Sequence, residues 1–375
     1  MEKDTRLLTR RQALGHLGLG MGALAWAGWP KNSRAVELEP KHRTAVEKGL
    51  NWLAKEQRSQ GFWEANGGQY KPAMTGMAGM ALLMEGSNTH CGKYANQINR
   101  AVEWFMARSQ RNGLLVDPSD PTERARYMYG HGFGLLFLAS VYGEESDAEQ
   151  RRKLEDILTR AVKFTCNAQS NQGGWYYTAN SNQDEGSVAV TQLQALRAAR
   201  NAGIVVPKET IDKAEKYLSV CSINKGAGMK EVGYRPGRPA ITPGLTTAGL
   251  VCMFSAGRYN APIIKDWMRY CQANVVPLGS GRRRGHDEYT HYYWAQALYI
   301  LGDDRFKSYF PDIKNPMTWS TYRKQTFDYL AKTQQANGSW VGAGGQWSNI
   351  GQVYATSVFL TILQLEKASL PIYQR

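Results

Sequence analysis

The segment His286-Asp287-Glu288-Tyr289-Thr290-His291 sets two imidazoles, two carboxylates and a phenol side by side. All are groups that can take or give a proton when held against a substrate. Arg282, Arg283 and Arg284 come just before it, and guanidinium forks suit phosphate or carboxylate. Elsewhere His131 stands between Gly130 and Gly132, which permit close backbone approach and leave the imidazole to face a cavity mouth. Asp184 and Glu185 precede an apolar run, where an acid serves either as a proton donor or as a helix N-cap, and capping is the reading favoured for this pair. Arg235 sits in a Pro-Gly turn. The catalytic candidates are therefore His131, His286, Asp287, Glu288, Tyr289 and His291, and the ligand-binding candidates Asp184, Arg235 and Arg282. The five cysteines show no Cys-x-x-Cys spacing and their odd number argues against a full disulfide framework, so no metal site and no cofactor are expected.

Positioning these residues falls to a repeat. Openings such as "AVEKGLNWLAKEQ" (from Ala45), "AVEWFMARSQ" (from Ala101), "AVKFTCNAQ" (from Ala161), "AEKYLSVCS" (from Ala214), "IKDWMRYCQ" (from Ile264) and "QTFDYLAKTQQ" (from Gln325) recur with apolar residues at amphipathic-helix spacing. In three copies a turn follows with glutamine, glycine four on and tryptophan six on: Gln57-Gly61-Trp63, Gln169-Gly173-Trp175 and Gln334-Gly338-Trp340. The glycine supplies positive φ, the ring covers the turn, and the amide bonds orphaned backbone groups. A second copy keeps Gln110 and Gly113 but has Leu114 and Leu115 in place of the ring. Each copy then carries a less charged segment rich in Gly, Ala and Thr, as in "TGMAGMALLM" and "GHGFGLLFLASVYG". Such helices belong in an inner layer, with the first helices outside. Six hairpins of this kind close into an all-α, α/α-toroid ring, a single domain over residues 37–375 whose inner-helix N-termini gather the candidates at one mouth.

Residues 1–36 differ. Arg6, Arg10 and Arg11 head a glycine-diluted apolar stretch too short to span a bilayer comfortably. "TRRQAL" resembles a twin-arginine export signal, which implies an exported, extracytoplasmic protein, and "NSRAVE" is the nearest cleavage candidate. A net charge of +14 raises nucleic acid as a partner, but the cations are interleaved with acids as on solvated helix faces. No nucleic-acid partner is expected, only weak attraction to anionic membrane surfaces or acidic glycans. The content of 11 Trp, 20 Tyr and 10 Phe calls for an aromatic core or an aromatic-lined cavity.

The Gln-Gly-Trp turn repeated through helical hairpins resembles the repeat of squalene-hopene cyclases and protein prenyltransferase β subunits. With "GGWYY", "MYGHGFGLLFLASVYG" and "LQALRAARNAG", the chain is similar to exported prenyltransferase/squalene-oxidase-repeat proteins of bacteria. The resemblance implies an α/α toroid and an isoprenoid or other apolar ligand. It also implies diphosphate binding by His131 and the arginines before Asp287. The residues depart from it twice. "DEGSVAV" keeps Asp184 of a cyclase acid motif but has Gly186 and Ser187 where the paired acids belong. The prenyltransferase zinc set lacks its cysteine around Asp287, Glu288 and His291. "GDDRFK", with Asp303 and Asp304, is too sparse for a magnesium motif and suits a helix end.

Three function classes follow: an exported toroid holding an isoprenoid or apolar molecule in an aromatic-lined cavity, a lyase-like enzyme acting on acidic glycan, and a non-catalytic scaffold. A plugged cavity favours the last.

Overall fold

A computed structural model describes residues 38–145, 147–181, 183–280, 286–342, 350–367 and 369–374. The export-type stretch 1–36 and the candidate Arg282 lie outside the described residues. Twelve α-helices alternate between two layers. The outer helices are α1 (Pro40–Lys55), α3 (Ala95–Met106), α5 (Ala148–Asn167), α7 (Lys208–Val220), α9 (Pro262–Asn274) and α11 (Trp319–Thr333). The inner helices are α2 (Lys71–Leu83), α4 (Glu123–Val141), α6 (Gly186–Asn201), α8 (Gly244–Ser255), α10 (Asp287–Tyr309) and α12 (Gln352–Gln364). Each inner helix packs on the next around the ring, and α12 packs back on α2, so the toroid is closed. Nearly every residue of the inner helices is buried, whereas the outer ones bury a stripe. Small residues set the inner spacing: a Cβ at Gly76 would come within 2.5 Å of the Phe133 carbonyl oxygen. No described helix is long and apolar enough to cross a membrane.

The repeated turn is a joint between neighbouring hairpins. Trp63, Trp175 and Trp340 are buried, and each indole N–H donates to the carbonyl ten residues before it, on Leu53, Thr165 and Leu330, at 2.7–2.8 Å. Gln57 Nε2 donates to Gly61 O and to Gln97 O of the next outer helix. Gln169 does the same to Gly173 and Thr210, and Gln334 to Gly338 and Ala45. The last of these joins α11 to α1 and seals the ring. The glycines at φ near +97° lie so close to the next outer helix that a Cβ would sit about 2.5 Å from a backbone carbonyl oxygen, that of Arg100, Lys213 or Lys48.

Two expectations are corrected here. In the second copy Gln110 N bonds Leu114 O, the place held by Arg58, Ser170 and Gln335 in the other turns, so the position of the joining glutamine belongs to Ser109. The crosslink is made from the other side, where Arg160 Nη1 donates to Gln110 O at 2.6 Å. The fourth copy replaces the turn with an antiparallel hairpin, β1 (Ser222–Gly226) and β2 (Met229–Val232), though the sequence suggested no strand.

Candidate functional site

The ring brings one residue of each inner helix to a common level, and the structure separates what faces outward from what faces the axis. Outward, in four of the hairpins the backbone N–H that follows the turn is taken by a side chain on the inner helix. Trp63 N donates to Thr75 Oγ1, Val232 N to Thr246 Oγ1 and Trp340 N to Thr356 Oγ1. In the second hairpin Leu115 N donates to His131 Nδ1 at 3.2 Å. With Nδ1 an acceptor, the proton is on Nε2, which donates to Thr165 Oγ1 of α5 at 2.8 Å, and that hydroxyl donates to Ala161 O. His131 is thus the histidine form of a repeated threonine. It is wholly buried between the two helix layers, and burial holds its pKa down at about 3. His291 faces the same way: its Nδ1 meets the Tyr322 hydroxyl of α11 at 3.0 Å, and burial lowers its pKa to about 4. Neither histidine lines the mouth, contrary to the sequence expectation. The glycines flanking His131 serve helix contact instead, since Cβ atoms there would meet Pro72 and Gln192.

The acid pair divides in the same manner. Asp184 turns outward, accepts from Ser170 Oγ at 2.8 Å and lies behind Gly174, where burial raises its pKa. Glu185 is the N-cap of α6 and accepts from Ser187 N at 3.0 Å and Val188 N at 2.9 Å. Its carboxylate also meets Ser187 Oγ at 2.5 Å and the Tyr129 hydroxyl at 3.3 Å. It is 0% exposed. Burial raises its pKa, and the four donors oppose that rise.

Around Glu185 stands a wall of tyrosines. Tyr129, Tyr289 and Tyr354 each lie two residues before His131, His291 and Thr356, and thus on the axial face. Tyr129 and Tyr177 have ring centroids 5.8 Å apart, the Tyr177 and Tyr234 hydroxyls are hydrogen-bonded, and Tyr289 stands edge-on to Tyr293 at 4.9 Å. Arg126 lies 4.8 Å over the Tyr177 ring and Arg238 5.3 Å over Tyr234. Tyr129 and Tyr289 have pKa values well above the usual phenol range, through burial first and the Glu185 charge second or third. The hydroxyl of Tyr289 is buried without a hydrogen-bond partner, and that of Tyr293 lies beside Thr191.

Below this level the axis is closed. Gln194 of α6 and Gln296 of α10, helices separated by α8 in the ring, meet at 3.4 Å. Gln296 lies seven residues beyond Tyr289, roughly 10 Å down the helix. Tyr129, Tyr177, Tyr234, Tyr289 and Tyr354 are each half-buried and keep part of their surface exposed.

The other candidates lie at the rim or away from it. His286 caps α10 with φ 66°, half-buried, its pKa lowered by burial. Asp287 and Glu288 form the first turn of α10, Glu288 buried and close enough to Tyr354 to raise that phenol. Arg235 is exposed on the turn after β2, so the cations on the tyrosines are Arg126 and Arg238 in its stead. Asp303 holds the start of α11 through Ser320 N, as a helix-end residue would. Sequence reasoning missed Tyr129, Tyr177, Tyr234, Tyr354, Ser187 and Arg126. The recurrence of a tyrosine at the start of an inner helix was the available signal. It also missed Glu123, buried against Gly130 and Pro72, whose pKa is raised to about 9 by burial and then by Asp120 and Asp117.

Solved structures with this architecture include a terpene cyclase and a glycan hydrolase. The type II terpene cyclase MstE from Scytonema superposes with TM-score 0.56 at 13% identity, over 88% of this chain and 99% of that one. An inactive α-1,6-mannanase variant of Salegentibacter sp., bound to α-1,6-mannotriose, gives TM-score 0.56 at 10% identity over 88% and 99%. A protein from Actinoplanes gives 0.54 at 14% over 87% and 99%. No protein-family profile matches the chain, and no curated protein is similar to it in sequence. The fold these proteins share with this chain is the α/α toroid, here in a single domain.

Proposed function

We propose that the half-buried tyrosines form a shallow cup, that the cup binds the end of an isoprenoid-like ligand that carries an oxygen function, and that Glu185 is the acid that donates to it. The observation that carries this reading is Glu185 itself, a fully buried carboxyl in a wall of phenol rings. Burial favours the neutral form of this carboxyl, the form that can donate a hydrogen bond or a proton, and the faces of Tyr129, Tyr177 and Tyr289 are suited to steady positive charge. Tyr289 has a hydroxyl to offer a polar head. The similarly folded terpene cyclase MstE, an aspartate-to-asparagine variant of which is known in complex with geranylgeranyl dihydroxybenzoate, supports a ligand of this type. The arginine-headed N-terminal stretch supports an extracytoplasmic setting for it, and fractionation of cells expressing the full chain tests that part.

A second reading takes a glycan end into the same cup. It is favoured by the hydroxyl-rich wall and by the two adjacent aspartates substituted in the inactive mannanase variant. Lyase chemistry on an acidic glycan is less suited, because the phenols are held above the range of a useful base and His131 and His291 face the outer layer. Extraction of gently purified protein followed by mass spectrometry, and calorimetric titration with farnesol, geranylgeraniol and α-1,6-mannotriose, decides between them. A prenyl-type ligand retained by the parent and lost in Glu185→Gln supports the first reading. Heat with mannotriose alone supports the second, and no binding of any of them overturns both.

A further inference from the structure

The cup ends at a surface supplied by a part of the chain outside the repeat. After α12 the chain caps the far end of α2, where Gln364 Nε2 donates to Ala81 O and Ser369 Oγ to Met84 O. It then turns into the ring. The short 3-10 turn Pro371–Tyr373 packs on α6, a helix not adjacent to α12, so the segment crosses the axis. Leu370, Ile372 and Tyr373 are buried there. The Tyr373 hydroxyl meets that of Tyr292 at 3.2 Å, and Tyr373 lies close to Tyr293, one turn below Tyr289 in the cup. Gln296, whose amide meets Gln194 across the axis, also bonds the Tyr292 carbonyl.

We propose that the C-terminal segment Ser369–Gln374 is the floor of the cup and that Tyr373 sets the longest ligand the cup admits. The first half concerns the molecule alone, and the second rests on the cup being the ligand site. Two measurements keep them apart. In a Gln296→Cys background the introduced thiol is followed by peptide mass spectrometry during reaction with a small methanethiosulfonate, with Cys91 as the exposed internal reference. Shortening the chain after Lys367, or Tyr373→Ala in the full chain, raises its labelling rate by about ten-fold or more as the floor opens. Unchanged rates in both variants, with circular dichroism matching the parent, overturn the floor. Titration with geraniol, farnesol and geranylgeraniol then reads the ligand limit: in Tyr373→Ala the longest alcohol bound is longer than in the parent. The same limit in both overturns Tyr373 as its determinant. Faster labelling with no binding of any alcohol upholds the floor and removes the ligand reading.

Discussion

The side chains that look most reactive in this sequence divide by the face of the helix they occupy. His131 and His291 point outward and are neutral fixtures, whereas Glu185, next to the outward-facing Asp184, points to the axis. Because the folded pKa of His131 is about 3 and that of His291 about 4, below their ordinary 6.5, the unfolded chain binds more protons over that window. Stability is complete above pH 6.5 and falls as the pH drops toward 4 and 3. Replacement His131→Thr, as at Thr75, Thr246 and Thr356, should keep the Leu115 bond and flatten this acid slope in urea titrations. His131→Ala should cost about 1–3 kcal/mol through the orphaned Leu115 N–H. Equal stability of the two variants would contradict the structural role. Glu123 acts in the opposite direction. With its folded pKa raised to about 9, its contribution is present below 4.5 and lost as pH rises through 9, so Glu123→Gln should stabilise at pH 8 more than at pH 5. These orientations were not legible in the sequence, since a histidine between glycines reads the same whether it faces a lumen or a neighbouring helix.

At the scale of the element, the Gln-Gly-Trp turn was legible in full because its geometry is local. Glycine at positive φ, a buried indole and an amide within reach of its own turn follow from three spacings. Its second partner, the next outer helix, was not legible, since that contact spans some forty residues or closes the ring. A matched pair isolates the effect. Gly173 and Gly203 both have φ near +90°, but a Cβ at Gly173 meets the Lys213 carbonyl oxygen at 2.4 Å while one at Gly203 meets nothing. Gly173→Ala should therefore lose more stability than Gly203→Ala, by about 1–3 kcal/mol, as overpacking against backbone does. Similar melting temperatures for the two would show that positive φ alone governs the turn.

As a whole molecule the toroid differs from an open repeat array by its seam. Gln334 to Ala45, Gln364 to Ala81 and His42 Nε2 to Asp328 at 2.9 Å tie the last hairpin to the first. An open array unfolds from its ends, but a ring has none, so the closed chain should melt in one cooperative transition. Calorimetric and van't Hoff enthalpies should agree in the parent and diverge in the double variant Gln334→Ala, Gln364→Ala. Continued agreement would mean that the seam is no stronger than the layers it joins. At this scale the make-up of the site is also decided: Tyr129, Tyr289 and Tyr354 come from three inner helices, Tyr177 and Tyr234 from two turns, and the C-terminal segment packs on α6 across the ring.

The amino-acid sequence alone determined the hairpin repeat, its turns, the two helix layers and hence the toroid, because each follows from short-range spacing and apolar periodicity. It also placed the candidates at the starts of inner helices. What only the tertiary structure decided is which of them meet. Adjacent residues on a helix point about 100° apart, so a single position separates the lumen from the interlayer contact. Asp184 and the extended N-cap residue Glu185 point to opposite sides, which puts Glu185 among Tyr129, Tyr177 and Tyr289 and leaves Asp184 with Ser170, and the turn after α12 sets Tyr373 against Tyr292 from the end of the chain.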